Sequence, residues 1–194
     1  MRGPTATPRP ATYDDLCAVP DHKVAEILDG ELIVSPRPAL RHANASSFLG
    51  VILGPPFGFG SRDPGGWSIL DEPELHLRDD VVVPDLAGWR RERLPFIPDA
   101  AYLTLAPDWV CEVISPSTER IDRSRKMRIY AREGVQHLWL LDPLVRTLEV
   151  LRLENARWVV IATHGDQDIV RVEPFDAIEI GLSPLWPDPP VESP

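Results

Sequence analysis

Cysteines, long apolar runs and an excess of positive charge are all scarce or missing in this sequence. Its two cysteines, Cys17 and Cys111, lack the paired spacing of a zinc site, so two reduced thiols are the plain interpretation. No apolar run approaches the ~20 residues that a membrane span needs. The N-terminal segment also lacks the apolar core of a secretory signal. The sequence therefore predicts a cytoplasmic protein with no membrane partner.

The charge balance is acidic, since 30 Asp and Glu against 20 Lys and Arg give a net charge of −10. Affinity for a polyanion comes largely from basic side chains that neutralise phosphates, so this balance argues against a general DNA-coating protein. One basic run nevertheless stands out, and it consists of Arg120, Arg123, Arg125, Lys126, Arg128 and Arg132. Such a run is either a solvated helix face or a surface that binds phosphates.

The length of 194 residues suits one domain with a hydrophobic core. Prolines concentrate at both ends and predict flexible tails at 1–11 and 184–194, around a single domain at 12–183.

Capping and turn residues predict the first elements of this domain. Thr12 and Asp15 have the spacing of a helix capping box, and Asp29-Gly30 predicts a hairpin over 22–35. A helix is expected at 40–54, then a Pro- and Gly-rich loop to residue 66. Strands are expected at 67–70, 73–77, 80–88, 109–114, 137–142, 146–153, 157–163, 168–173 and 177–181, with a helix between Thr118 and Glu133. This order indicates an α/β or α+β domain with a mixed central sheet.

Glu112 is the first candidate for chemistry, because it lies inside an apolar strand on the same side as Val110 and Ile114. An isolated ionised carboxylate there costs several kcal/mol. Glu112 therefore needs a charged partner, a metal or a raised pKa. A salt bridge to a nearby arginine is the ordinary structural explanation.

Asp85 and Lys126 complete the set. Asp85 follows Pro84 in the middle of a predicted strand, where the proline implies an edge, a bulge or a change of strand. Lys126 shares one helix face with Asp122, and an ordinary helical ion pair is the simple alternative. Since this helix directly follows the strand of Glu112, it can pack back and bring the lysine to the carboxylates.

Together these residues resemble the Uma-type restriction endonuclease family, a branch of the PD-(D/E)XK nuclease superfamily. The specific part consists of Pro84-Asp85, Glu112-Val-Ile-Ser-Pro-Ser-Thr, Asp122, Lys126, Tyr130, Gly134-Val135 and Leu138-Trp-Leu-Leu-Asp142-Pro143. The hairpin Glu26-Ile-Leu-Asp-Gly-Glu-Leu, Ser35-Pro36 and His42 support it. The resemblance extends over residues 12–182.

The resemblance implies a restriction endonuclease-like mixed central sheet flanked by helices, with additional hairpins. It also implies a catalytic set of Asp85, Glu112 and Lys126, in which the two carboxylates and the backbone carbonyl of Val113 hold Mg²⁺ or Mn²⁺. Further candidates around the site are Glu26, His42, Asp122 and Tyr130, and candidates for phosphate contacts are Arg120, Arg123 and Arg125. The expected substrate is DNA, and we expect both carboxylates to be poorly satisfied without metal.

One departure bears on this hypothesis. The superfamily motif places its lysine two residues after the strand glutamate, where this chain has Ile114, so Lys126 must replace it from the helix. A Lys126 that pointed to solvent would weaken the cleavage hypothesis.

Two other questions stay open at this point. A metal-binding or protein-interaction module that kept the fold and lost cleavage is the alternative, and the net charge favours it. The two differ in whether the arginines of 120–132 flank the carboxylates. The β-rich C-terminal half could also pair two chains into a homodimer. A glycosidase is a poorer interpretation, because it needs two acids facing each other across a sugar cleft.

Overall fold

The computed structural model describes residues 9–58 and 65–186. Its helices are α1 (Tyr13–Cys17), α2 (Leu40–Leu53), α3 (Glu119–Ile121) and α4 (Met127–Arg132), with π-helical turns at Gly54–Gly58 and Asp122–Lys126 and a 3-10 turn at Ser183–Leu185. Its strands are β1 (Lys23–Leu28), β2 (Glu31–Pro36), β3 (Trp67–Asp71), β4 (Leu75–Leu77), β5 (Asp80–Val82), β6 (Leu86–Arg90), β7 (Trp109–Val113), β8 (His137–Asp142), β9 (Thr147–Glu154), β10 (Arg157–Gly165), β11 (Ile169–Val170) and β12 (Ile180–Gly181). No helix in these two ranges is long and apolar enough to cross a membrane.

The main sheet has six strands in the order β10-β9-β8-β7-β6-β3. Strands β7 and β8 are parallel, and the other neighbours are antiparallel. Both faces are covered, because Trp109, Cys111 and Val113 of β7 join a core with α2, while Val110 and Ile114 join a core with α4. This mixed sheet between helices confirms the predicted fold class.

A second sheet, with the order β2-β1-β5-β4, contains the predicted N-terminal hairpin. Its turn residues Asp29 and Gly30 have φ angles of 53° and 78°, the left-handed pair that a tight hairpin turn requires. Helix α1 precedes the hairpin, and Thr12 and Asp15 form the capping box that its sequence predicts. The hairpin brings Glu26 of β1 toward the end of the main sheet.

The strand predicted at 80–88 is in fact two strands in different sheets. β5 ends at Val82 in the second sheet, and β6 begins at Leu86 in the main sheet. Pro84, which has no N–H to donate to a β-ladder, lies in the crossover. The change of strand that this proline implies is therefore confirmed, and the prediction of one continuous strand at 80–88 is wrong. Asp85 is the last residue of the crossover.

The C-terminal part has fewer residues in strands than predicted, and its buried core extends further along the chain than predicted. The strands expected at 168–173 and 177–181 are reduced to the two-residue strands β11 and β12. Leu185 and Trp186 are buried, so the boundary predicted at residue 183 is too early. The rest of the predicted tails and the loop segment 59–64 lie outside the described residues. Pairing of two chains through this half stays a prediction.

The structure also describes the start of the domain and the two cysteines. Arg9 forms an ion pair with Asp15, and the Ala11 N–H donates to the Gly30 carbonyl at 2.7 Å, so residues 9–11 are attached to the body. Cys17 is exposed, Cys111 is buried, and both are free thiols.

An aromatic cluster on the α2 side of the main sheet depends on Gly88. The ring of Phe175 lies 4.9 Å from the rings of both Trp67 and Trp109, centroid to centroid, and all three side chains are buried. A Cβ at Gly88 of β6 would lie 3.1 Å from the Trp109 ring and 3.2 Å from the Trp67 ring. Gly88 therefore makes room for two buried indoles.

We expect Gly88→Ala to lower the free energy of unfolding by about 1–3 kcal/mol, the usual cost of overpacking a core. Chemical denaturation followed by tryptophan fluorescence measures the change. Gly181→Ala is the matched control, since a Cβ on this strand glycine meets nothing within 4 Å. Equal stability of the two variants would show that the indoles shift without cost.

Candidate active site

The carboxylate of Glu112 is buried at the end of β7 with a partner on each oxygen. Lys126 Nζ donates to Oε2 at 2.9 Å, and the Tyr130 hydroxyl donates to Oε1 at 2.5 Å. Burial raises the pKa of Glu112 and favours its neutral form, whereas Lys126 favours the charged form. We favour the ionised pair, because both oxygens accept hydrogen bonds. The charged partner is thus a lysine rather than an arginine.

Lys126 reaches this position through a π-helical turn between α3 and α4. The turn begins at Asp122 and ends at Lys126, and both side chains are buried. Lys126 Nζ lies 3.3 Å from Glu26 Oε1 and 3.6 Å from Asp122 Oδ1. Burial opposes the charge of Lys126, but Glu112 and Glu26 outweigh burial and raise its pKa well above the usual value. Lys126 is therefore a protonated cation that points into the protein.

Asp85 lies beside Glu112 on the neighbouring strand. In the register of β6 and β7, Leu86 faces Cys111, and one further step places Asp85 opposite Glu112. The Val113 N–H donates to Asp85 Oδ2 at 2.7 Å, and His42 Nε2 of α2 is 3.2 Å from Oδ1. Both oxygens therefore have partners, as those of Glu112 do, so the expectation of poorly satisfied acids is wrong.

His42 closes the site on the α2 side. Burial alone would lower the pKa of His42, but the hydrogen bond and the charge of Asp85 outweigh burial and raise it. Its other ring nitrogen, Nδ1, is buried and has no hydrogen-bond partner among the described residues. Among the described residues, Asp85 is thus the one polar partner that contacts the imidazole nitrogens directly.

These side chains line one cavity of about 290 Å³. Its ionisable lining comprises five carboxylates, two cations and one imidazole, namely Glu26, Glu72, Asp85, Glu112 and Asp122, then Arg37 and Lys126, then His42. The carboxylates outnumber the cations, and burial raises the pKa of Asp122 although Lys126 opposes the shift. The lining of the cavity is therefore acidic.

The structure brings most of the predicted site residues together. Asp85, Glu112, Lys126, Glu26, His42 and Asp122 line the cavity, and Tyr130 contacts Glu112 from behind. Val113 contributes its N–H to Asp85 and is not among the lining residues. Arg120, Arg123 and Arg125 do not line the cavity either. Arg123 is paired with Glu149 and Glu119, and Arg125 with Glu31.

Sequence reasoning missed part of the cavity wall. Arg37 and Glu72 line one side, and the hydroxyl residues Ser115, Ser117 and Thr118 line another. Ser115 Oγ lies 3.0 Å from Ser117 Oγ and 2.9 Å from Thr118 Oγ1. Ser115, Ser117 and Thr118 belong to the motif Glu112-Val-Ile-Ser-Pro-Ser-Thr that carries the resemblance, and Ser35-Pro36 directly precedes Arg37, but neither stretch indicated a place in the cavity wall.

Comparison with solved structures defines the class of fold. The chain superposes with a TM-score of 0.73 and 21% sequence identity on a crystal structure from Anabaena variabilis ATCC 29413, described as "a putative nuclease belonging to DUF820". The match covers 91% of this chain and 98% of that one. The two chains therefore share one mixed α+β fold. No curated protein matches the chain.

The family follows from a second comparison. The Uma2 family, described as "Putative restriction endonuclease", matches residues 10–183. This range is nearly the whole sequence and includes every residue of the cavity, so the chain belongs to the Uma2 family.

Proposed function

We propose that the protein is a divalent-metal-dependent endonuclease that hydrolyses phosphodiester bonds of DNA. The observation that carries the proposal is a buried, protonated lysine 2.9 Å from Glu112, next to a second carboxylate, Asp85, in one acidic cavity. Membership of a family described as restriction endonucleases supports it.

The donor set fits a small, hard cation. Within the described ranges, no three His, Cys, Asp or Glu side chains are grouped to hold a metal by themselves. Mg²⁺ commonly takes only one or two protein carboxylates and keeps several waters, and Mn²⁺ accepts similar oxygen ligands. Asp85 and Glu112 are such a pair, and a carboxylate that accepts one hydrogen bond per oxygen still has free lone pairs. The backbone carbonyl of Val113, which is not among the lining residues, stays a predicted further oxygen ligand.

In the proposed reaction, water attacks phosphorus, one ester P–O bond breaks, and the departing oxygen receives a proton from the water. A bound divalent ion would neutralise the phosphate and lower the pKa of the attacking water. Lys126 keeps a positive charge at the cavity floor, where it stabilises the negative charge that develops on the phosphate. Tyr130 fixes the orientation of Glu112, and His42 does the same for Asp85.

Metal removal tests the proposal. We expect the purified protein to cleave DNA in Mg²⁺ or Mn²⁺, to lose cleavage by a factor of at least about 100 in EDTA, and to regain it when metal is restored. Gel assays on single-stranded, duplex and branched DNA measure the rates. Cleavage that persists unchanged in EDTA would contradict the metal dependence.

A module without cleavage activity on the same fold is the second candidate, and two observations favour it. Arg120, Arg123 and Arg125 do not line the cavity beside the carboxylates. Both oxygens of Glu112 also have protein partners already, so this carboxylate is satisfied without a ligand. Metal binding without cleavage of any of the three DNA forms would support this candidate over the nuclease.

A further inference from the structure

The charged groups assigned to the reaction are buried in the lining of the cavity. The side chains of Glu112 and Lys126 are 2% and 4% exposed, and that of Asp85 is 15% exposed. A phosphodiester must therefore enter the cavity to reach these groups. A surface contact along the outside of the protein does not suffice.

The cavity is small and its walls are stiff. Its volume of about 290 Å³ is just below the range of about 300–1,000 Å³ for small-molecule sites. One wall contains Pro36 and Pro38, and another contains Pro116. Because proline fixes the backbone φ angle, these walls resist opening. The space suits one nucleotide of a flexible strand.

Duplex DNA is poorly matched to this shape. It is stiff, with a persistence length of about 50 nm, and its bases are stacked inside the helix. A single strand can turn its backbone into a narrow opening and place an unpaired base against a wall. Several lining side chains are apolar and offer such a surface, among them Val24, Val83 and Ile121.

The surface charge leads to the same conclusion. Duplex DNA carries about one negative charge per 1.7 Å of its axis and needs many basic contacts. In the run from Arg120 to Arg132, five of the six basic side chains form ion pairs with carboxylates of the protein, and these are Arg123, Arg125, Lys126, Arg128 and Arg132. Arg37 is the one exposed cation that lines the cavity within the described residues. It also faces a carboxylate, Glu72, but at 3.3 Å this pair is longer than those of Arg123, Arg125 and Arg132, at 2.6, 2.6 and 2.8 Å.

Arg37 is suitably placed for a phosphate. Its side chain is 55% exposed, and its guanidinium contacts Glu72 at 3.3 Å and the Asp21 carbonyl at 2.9 Å. These contacts hold it at the wall that includes Pro36 and Pro38. The hydroxyls of Ser115, Ser117 and Thr118 belong to the same cavity and supply further donors to phosphate oxygens.

We propose that the cavity accepts a single strand of DNA rather than an intact duplex, and that Arg37 binds a phosphate of that strand at the cavity wall. This inference rests on the proposed nuclease function and specifies its substrate. It assigns to Arg37 a role in substrate binding, separate from the carboxylates and Lys126 that act on the scissile phosphate.

Binding by fluorescence anisotropy tests the proposal with the full chain in Ca²⁺ buffer at one fixed salt concentration, with the integrity of the DNA checked on denaturing gels. A labelled oligonucleotide is compared with the same oligonucleotide annealed to its complement. We expect the single strand to bind more tightly by about tenfold or more. Arg37→Ala should weaken single-strand binding about tenfold and reduce the salt slope by about 0.7, the value for one phosphate contact.

Arg171→Ala is the matched control. Arg171 is 54% exposed and lies 3.6 Å from one carboxylate, Glu179, but it is not a lining residue of the cavity. The Arg171→Ala variant should bind the single strand with the same affinity as the unmodified protein. An equal loss in both arginine variants would show that Arg37 acts only through overall charge and would overturn its assigned role.

Equal or tighter binding of the duplex would overturn the single-strand inference, as would the absence of binding to either form. Cleavage of the same two substrates in Mn²⁺ is scored separately. If the duplex is cleaved at least as fast as the single strand, the nuclease proposal stands and the single strand is rejected as the preferred substrate. Single-strand binding without cleavage of either form would reject the nuclease and leave the preference for a single strand standing.

Discussion

Lys126→Met should abolish cleavage and destabilise the fold, because it leaves the Glu112 carboxylate buried without its charged partner. Breaking a buried ion pair from one side costs about 3–5 kcal/mol. Loss of the cation at the floor of the cavity should lower the cleavage rate by about 10²–10³. Denaturant unfolding and a DNA cleavage assay measure the two effects separately.

A second substitution separates catalysis from folding. The double variant Glu112→Gln/Lys126→Met removes the most buried carboxylate together with its cation, so it should regain about 1–2 kcal/mol of the stability lost in Lys126→Met, while Glu26 and Asp122 still lack their cation and cleavage stays lost. Arg128→Met is the control on the same helical segment, since its ion pair with Asp29 is exposed and should contribute less than about 1 kcal/mol. Normal cleavage by Lys126→Met would remove the lysine from the mechanism.

Local signals predicted the start of the fold well. The capping box of α1 and the Asp29-Gly30 turn act within a few residues, so the sequence contains nearly all the information that they need. The strand change at Pro84 was also indicated, although the division of the strand between two sheets was not. That division depends on the pairing of β5 with β1 and of β6 with β3, which are distant along the chain.

In the C-terminal part, by contrast, the sequence pattern predicted the wrong secondary structure. Apolar residues at 168–173 and 177–181 predicted two ordinary strands, but most of these residues pack in irregular backbone. Val172 and Phe175 are buried in the core beside Trp109 and Trp139 without belonging to a strand. Alternation of apolar residues reports burial, and burial does not require a ladder of hydrogen bonds.

The centre of the candidate site could be predicted because three local features converge. Glu112 is conspicuous in an apolar strand, Asp85 follows a strand-breaking proline, and Lys126 lies on the helix that returns over β7. The partners of the basic run could not be predicted in this way. Arg125 pairs with Glu31, which is 94 residues away, and only tertiary packing brings the two together.

The absence of Arg37 from the predicted site has a similar cause. Arg37 follows β2 in the N-terminal hairpin, and it reaches the cavity because β1 pairs with β5 immediately before the crossover to Asp85. The second sheet therefore has two functions in the proposed site. It supplies Glu26 to Lys126, and it places the wall with Arg37 beside the carboxylates.

The buried charged side chains of the cavity lower the stability of the fold. Glu26, Glu112, Asp122 and Lys126 are all buried, and an apolar set of similar volume is often equally or more stable than a buried ion pair. Stability alone therefore gives no reason for this arrangement. The π-helical turn at Asp122–Lys126 also favours a functional explanation of this arrangement, since such turns occur frequently at functional sites.

Asp85→Asn should stop cleavage with little effect on stability. The amide oxygen can still accept from the Val113 N–H, and the amide nitrogen can donate to His42 Nε2, so both contacts of Asp85 have substitutes. We therefore expect a change in unfolding free energy below about 1 kcal/mol. Loss of the negative charge removes a metal ligand, so cleavage should fall by a factor of at least about 100.

Calorimetric titration with Mn²⁺ measures the same loss without catalysis, and binding by Asp85→Asn should be weaker by about tenfold or more. Asp168→Asn is the matched control, because Asp168 also accepts a backbone N–H, from Gly165, and also has a histidine neighbour, His164 at 3.8 Å. Asp168 lies outside the cavity lining, so its variant should bind Mn²⁺ and cleave DNA as before. Retained Mn²⁺ affinity in Asp85→Asn would mean that the carboxylate orients His42 and Val113 instead of holding the ion.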